Sequence, residues 1–321
     1  MKIKIKLPSP PQTPRRTWLL GVFVASLIGL SSLIGLSQAS AAPSPLSRTP
    51  LFRMKPPEIG AHLAKLHAAE PDLRKRIAHL ARQNIGQPYQ LFLLGEFPFE
   101  TIDPQPMFSL EKSDCVVFAE HTYAMALSKS WEEFFWILQR IRYKDGVIGV
   151  ATRNHYTEAD WNPANAWLVQ DITAELAGSS AARYTFAVDR AKFFASRYRL
   201  EKQSPIETIT QAYVPKAAAY ALLAQLRDGD MFNVISRVGG QLQVTHVGLI
   251  VVAADGTRKL IHSSEPMVRE ETLAAFTTRV EAREARNRTA GKSGSALMGF
   301  TFLRLVENPV VPPSAAQPRP R

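Results

Sequence analysis

Cysteine is almost missing from this chain: 321 residues contain one, Cys115. A single thiol forms no internal disulfide and no paired-cysteine redox or zinc motif. Acidic residues are also scarce, 28 against 39 lysines and arginines, for a formal net charge of +11. No internal repeat is visible, which argues against solenoid and propeller architectures. Long apolar runs are absent after the N-terminal 41 residues.

That N-terminal stretch is to be read separately from the fold. Lys2, Lys4, Lys6, Arg15 and Arg16 precede an uncharged apolar run from Trp18 to Leu36, and Ala39-Ser40-Ala41 follows as a small-x-small cleavage pattern. The layout predicts a secretory signal peptide over residues 1–41. The run is also long enough to span a bilayer, so an uncleaved anchor is the competing reading. Either way the protein is expected to be exported, to the periplasm or cell envelope, and to meet a membrane only through this segment. No cysteine follows the run, so no lipoprotein anchor is expected. The leader holds five of the 39 basic residues and no acid, leaving 34 bases against 28 acids, a net +6. So small an excess gives little support to a nucleic-acid partner. A free thiol kept in an oxidising compartment calls for a chemical reason.

Residues 42–57 are rich in proline and serine and are expected to be a linker. Residues 59–84 carry apolar positions at helical spacing, broken by Pro71 into two helices. Residues 96–106 hold three prolines and read as loop. Residues 115–127 and 131–141 read as two further helices. A hairpin is expected around Lys144-Asp145-Gly146 within residues 142–155, and a helix mixed with basic residues within 171–200. Residues 206–210 and the stretch before Pro215 read as extended, and 217–226 as a short helix. Residues 231–235, 241–252, 259–262 and 298–306 read as strands, and 270–286 as a charged helix. Residues 308–321, with five prolines, read as a disordered tail. Helices first and antiparallel strands afterwards predict one α+β domain over residues 58–307.

Cys115 stands where a loop ends and an apolar helix begins. Free N–H groups and the partial positive charge of a helix start are expected to lower its pKa and make it nucleophilic. Downstream, Thr245-His246-Val247-Gly248 and Leu260-Ile261-His262-Ser263-Ser264 read as two strands of one hairpin. A three-residue loop, Ala254-Asp255-Gly256, pairs Ala253 with Thr257 and sets His262 opposite Gly248. His246 and His262 then become diagonal neighbours on one face. A two-residue Asp255-Gly256 turn would send the two rings to opposite faces. In the first register Cys115 is a candidate nucleophile, His246 its base, and His262 the group that fixes the tautomer of His246. The Cys115 backbone N–H can serve an oxyanion. The spacing of Cys115, His246 and His262 matches no compact zinc motif, and neither a metal nor a cofactor is expected.

Gly86-x-Pro88-Tyr89, Asp114-Cys115, Gly229-Asp230, His246-Val247-Gly248 and Ile261-His262-x-Ser264 together resemble the NlpC-type papain-like cell-wall hydrolases. That resemblance implies a papain-like α+β fold, with the nucleophile on a helix N-terminus packed against a central antiparallel sheet. It also implies Cys115, His246 and His262 as catalytic residues, and Tyr89 beside the nucleophile as a substrate-binding group. A narrower likeness runs through Ile141-Arg142-Tyr143-x-Asp145-Gly146, Arg153-Asn154-His155-Tyr156, Asp160-Trp161 and Asp171-Ile172-Thr173. It is similar to the N-acetylmuramoyl-L-alanine amidase-like branch, and implies that Arg153, Asn154 and His155 bind substrate. The expected partner is peptidoglycan or a muropeptide. The expected reaction is hydrolysis of the N-acetylmuramoyl–L-alanine amide through a Cys115 thioester. A stem-peptide endopeptidase and a non-catalytic wall-binding module are the alternatives. One departure from the pattern is Val116-Val117, where such enzymes often place a hydroxyl.

Overall fold

The computed structural model describes residues 49–292 and 294–313. The expected signal or anchor, the first seven residues of the expected linker and the end of the expected tail lie outside these residues.

The helical part comes first. Helix α1 (Pro56–Ala69) and α2 (Leu73–Gln83) flank Pro71 as the spacing predicts. Asp72 caps α2, its carboxylate accepting from the N–H groups of Arg74 and Lys75. Helix α3 (Cys115–Leu127) has the expected bounds, and α4 (Trp131–Arg142) follows. α3 is apolar around most of its circumference because it is enclosed: it packs against α1, α2 and α4 on one side and the sheet on the other. Phe118, Tyr123, Phe134 and Leu138 are all at most 1% exposed in that core.

A π-helical turn (Thr157–Trp161) and a short α5 (Asn162–Ala164) lead to β1 (Val169–Asp171) and α6 (Thr173–Ala177). Then come β2 (Ala182–Val188), α7 (Arg190–Tyr198), β3 (Glu207–Pro215) and α8 (Lys216–Leu222). The remaining elements are β4 (Met231–Val238), β5 (Gln241–Val252), β6 (Arg258–Ser264), β7 (Met267–Glu271), α9 (Leu273–Thr289) and β8 (Ala296–Leu305). The sheet runs β2-β3-β8-β4-β5-β6-β7, with β1 pairing β8, and its registered pairs are antiparallel. This is the mixed α+β fold with an antiparallel sheet. Alternation along the strands sends Val247, Leu249 and Val251 into the core shared with α3, and Ile250 into a second core with Phe276 and Val280 of α9. Among the described residues no helix is long and apolar enough to cross a membrane.

Three expectations are corrected. The hairpin within residues 142–155 is a single bridge between Tyr143 and Arg153 and a 3-10 turn at Lys144–Gly146. Asp145 there takes a left-handed φ of 53°, and the Thr152 hydroxyl donates to the carbonyls of Val147 and Gly149, so the chain coils instead of extending. The helix expected within 171–200 is interrupted by β2, whose Tyr184, Phe186 and Val188 are buried on alternate positions. The charged helix expected from residue 270 begins at Leu273, capped by the Thr272 hydroxyl; Glu270 and Glu271 complete β7.

Candidate active site

Asp114 starts α3. Its carboxylate accepts from the N–H of Val117, which fixes the first turn and leaves Cys115 as the first helical residue. The loop before it is tied down twice. The Ser113 hydroxyl donates to Gln87 Oε1 (2.7 Å) and lies 3.0 Å from Ser263 Oγ, and the Ser113 carbonyl accepts from the Ser263 hydroxyl (2.9 Å). The Ser113 N–H donates to Pro88 O, and the Gln90 N–H to Ser113 O, so Tyr89 is bridged to the same residue. Three distant segments thus meet: the one carrying Tyr89, the one leading into Cys115, and the strand carrying His262.

The β5–β6 hairpin has the three-residue-loop register. Leu249 pairs with Ile261 and Val252 with Arg258, and the Ala253 N–H donates to Thr257 O. Gly256 has φ +82°, the left-handed geometry this loop asks of a glycine. Continued one step, the register sets Gly248 beside His262. A Cβ on Gly248 would meet Phe232 at 2.6 Å and the His262 Cβ at 2.7 Å. The registered pairs of β5 with β6 stop at Leu249. Just before that point, the backbone N–H of Val247 is near enough to the Cys115 sulfur to favour its thiolate. The thiol therefore meets β5 one residue past His246.

His246 Nε2 lies 2.8 Å from His262 Nδ1, with the ring centroids 4.8 Å apart and nearly perpendicular. His262 Nε2 lies 2.8 Å from Glu271 Oε1. Glu271 also accepts from Arg279 of α9. The proton positions follow from this chain of contacts. A carboxylate only accepts, so His262 Nε2 carries a hydrogen. Burial lowers the pKa of His262 in spite of Glu271, so the ring is neutral and its Nδ1 accepts. His246 Nε2 therefore donates, and the free lone pair of His246 is on Nδ1. Burial, then the neighbouring His262, also holds His246 well below its ordinary value, so it is an unprotonated base.

Glu271 is the site residue that the sequence reading passed over. Burial alone would raise its pKa, but the bonds from His262 and Arg279 hold it down to about 2. The signal for it is register: His262 pairs with Arg269 across β6–β7, and Glu271 is the diagonal neighbour on the same face.

The expectation of a lowered thiol pKa is corrected. Packing around the partly exposed Cys115 pushes it up to about 12, and the adjacent Asp114 carboxylate adds to the rise. The backbone N–H groups of Val247, Val116 and Cys115 act in the other direction and are outweighed. The group that caps the helix thereby cancels much of the positive potential expected of its start. The resting pair is a neutral thiol and a neutral imidazole. Tyr89 is also raised to about 12, first by burial and then by Cys115 and Asp114, which places its phenol in the neighbourhood of the thiol.

Arg153, Asn154 and His155 are placed elsewhere. They line a cavity of about 630 Å³ to which Cys115, His246, His262 and Tyr89 contribute nothing. Arg153 donates from Nε and Nη2 to Glu96 (2.6 and 2.5 Å), from Nη2 to Asp103 (2.9 Å) and from Nη1 to the Tyr198 hydroxyl (3.2 Å). The carboxylate pairing expected of it is thus taken up within the protein. Asn154 donates to Ile141 O. His155 Nε2 lies 2.7 Å from Val150 O, and burial lowers the ring to about 4. Other residues of the same stretch support the nucleophile helix from beneath. Arg142 (2.9 Å) and the Trp161 indole N–H (3.0 Å) both donate to Glu120 of α3. Among the described residues, no three His, Cys, Asp or Glu side chains converge as ligands for a metal ion.

Fold and site define a mixed α+β protein with a lone thiol at a helix start, set against a strand that carries an imidazole pair backed by a carboxylate. The chain belongs to the AmiA-like family, described as N-acetylmuramoyl-L-alanine amidase-like, whose model matches residues 79–280. That span includes Cys115, His246, His262 and Glu271. Among solved structures the chain is similar to a Legionella pneumophila protein, at TM-score 0.65 and 20% identity over 79% of this chain and 96% of that one. It is also similar to an N-acetylmuramoyl-L-alanine amidase from Bacteroides uniformis, at TM-score 0.55 and 22% identity over 73% of this chain and 98% of that one. At such identities the likeness is one of fold. No curated protein matches the chain. Family membership makes the protein amidase-like, with hydrolytic chemistry and a peptidoglycan-related substrate as its theme.

Proposed function

We propose that the protein is an exported cysteine amidase of the NlpC-type papain-like kind. It would cleave the amide between the lactyl group of N-acetylmuramic acid and L-alanine, in peptidoglycan or muropeptides. The observation that carries the reading is the His246–His262–Glu271 chain on a strand packed against the helix that Cys115 opens. The family match supports the bond type, and the leader-like residues 1–41 support export to the periplasm or envelope.

The chemistry follows from the resting protonation state. A thiol near 12 and an imidazole well below 6.5 do not form a standing ion pair. The S–H proton passes to His246 Nδ1 as Sγ attacks the lactyl carbonyl carbon. The Cys115 N–H at the helix start donates to the carbonyl oxygen as it gains charge. His262 accepts from His246 Nε2, and Glu271 stabilises the positive charge that His246 acquires. The proton then moves to the alanine nitrogen as the C–N bond breaks, leaving a lactyl thioester. Water, deprotonated by His246, releases the acid and restores the thiol. Tyr89, whose phenol feels the charge of Cys115, is the group proposed to bind substrate beside the sulfur.

The test is a muropeptide digest read by mass spectrometry, with wild type and Cys115→Ala in parallel. The expected products are N-acetylmuramic-acid-containing glycans and intact peptides beginning with L-alanine, with the variant inactive. Fragments cut inside the stem peptide would make the protein an endopeptidase. Wall binding without products from either protein would make it a binding module.

A further inference from the structure

The large cavity that holds none of the thiol-site residues has its own chemistry. Arg140, on its wall, is only 7% exposed, yet its charge is poorly matched. Its nearest carboxylate is Asp145, at 3.9 Å and 73% exposed, and its Nη1 reaches Ala164 O at a long 3.4 Å. Its Nε is buried without a partner. A buried guanidinium ordinarily carries short, charge-assisted bonds to anions. Arg142 and Arg153 nearby have them, to Glu120 and Glu96. Burial lowers the pKa of Arg140, as expected of a cation short of a counter-charge.

The other cations on the wall sort into two kinds. Arg190 is bound to Asp160 and Glu207, both at 2.6 Å, and is thereby matched. Lys202 reaches only the carbonyl of Ala151, at 3.4 Å, and the face of Phe194, at 4.7 Å. Lys144 is exposed, and among the described residues its ammonium has no anionic partner. Three cations with only one weak carboxylate contact among them, Arg140 to Asp145, thus face one cavity, whose other carboxylate, Asp160, is bound to Arg190. Trp167, under the Arg140 guanidinium at 5.9 Å, supplies an aromatic wall.

We propose that this cavity is an anion-binding site separate from the thiol, taking an oxyanion group, carboxylate or phosphate, between Arg140, Lys144 and Lys202. The free carboxylates of peptides and the phosphates of phosphorylated glycans are the two sources of such a group. The site does not depend on the amidase reading, because nothing in it touches Cys115 or His246.

The test is isothermal titration calorimetry on the full chain, with inorganic phosphate in one arm and N-acetyl-D-glutamate in the other. Saturable binding of at least one probe is expected, unchanged in Cys115→Ala and weakened by added chloride. Losing both lysine contacts in Lys144→Ala/Lys202→Ala is expected to weaken Kd about tenfold or more. Arg140→Gln, checked for folding by circular dichroism, is expected to weaken it further. The lysine pair is exposed enough to keep the test open even if the Arg140 variant misfolds. Absence of saturable binding by either probe, or equal affinity in the double-lysine variant, overturns the proposal. The arm that binds more tightly identifies the source.

Discussion

Two of the buried polar networks among the described residues are built differently. Glu96, Arg153 and Asp103 close on one another: Arg153 spends its donors on two carboxylates and a tyrosine hydroxyl, and Glu96, fully buried, also accepts from Tyr143. The chain from Arg279 through Glu271 and His262 to His246 is open at one end. Each member satisfies the next, and the last lone pair, on His246 Nδ1, is left over. A closed network has its charged groups engaged with one another inside the protein. An open one presents an unused acceptor, held in one orientation, next to the strand residue that meets the thiol.

The sharpest way to break that contrast is to remove the open end. His246→Ala is expected to lower kcat for muropeptide cleavage by about 10³-fold or more while leaving the folded structure intact. Activity within tenfold of wild type would mean that the lone pair is not the base. The closed network should respond in the opposite sense. Glu96→Gln strips Arg153 of its buried partner and is expected to cost about 3–5 kcal/mol of stability in chemical denaturation. The fraction that remains folded should turn over at close to the wild-type rate.

Glu271→Gln tests the link between the two kinds of effect. An amide cannot balance an imidazolium as a carboxylate does, so kcat should drop about 10- to 100-fold with little change in KM. Its pH signature is specific. The pKa of Glu271 is depressed to about 2 in the fold, below an unfolded value of about 4.3. Its stabilising contribution is therefore complete above about pH 4.3 and is lost as pH falls through about 2. His246 and His262, held neutral in the fold, add a loss that begins higher, as pH falls below about 6.5. Thermal unfolding from pH 8 to pH 2 should show both declines in wild type and only the higher one in the variant.

Much of this arrangement was legible in the sequence because local chemistry dictates it. Asp114 before an apolar run marks the start of α3. Gly256 at the third loop position selects the hairpin register, and that register alone puts His246 and His262 on one face. What escaped was set by contacts between distant segments. Glu271 emerges only once β7 is seen to fold back on β6, and its neighbours Arg269 and Glu270 make it look like one more charge opening a helix. The partners of Arg153 were not legible because they lie 57 and 50 residues earlier, in a proline-rich loop with no periodicity. The thiol was expected to be acidified by the helix start, but the carboxylate that caps the helix and the packing about the sulfur outweigh that field. The strand β2 was obscured by the basic stretch that follows it, where α7 carries Arg190, Lys192 and Arg197.

The serine clasp between residues 113 and 263 has a consequence for biosynthesis. The two hydroxyls that hold the nucleophile loop to the histidine strand are 150 residues apart. A nascent chain that has emerged only as far as the helices, with most of the sheet still unmade, carries a sulfur with neither its clamp nor its base. For the nucleophile proposed above, reactivity is thus withheld until residue 263 and the strand that carries it are in place.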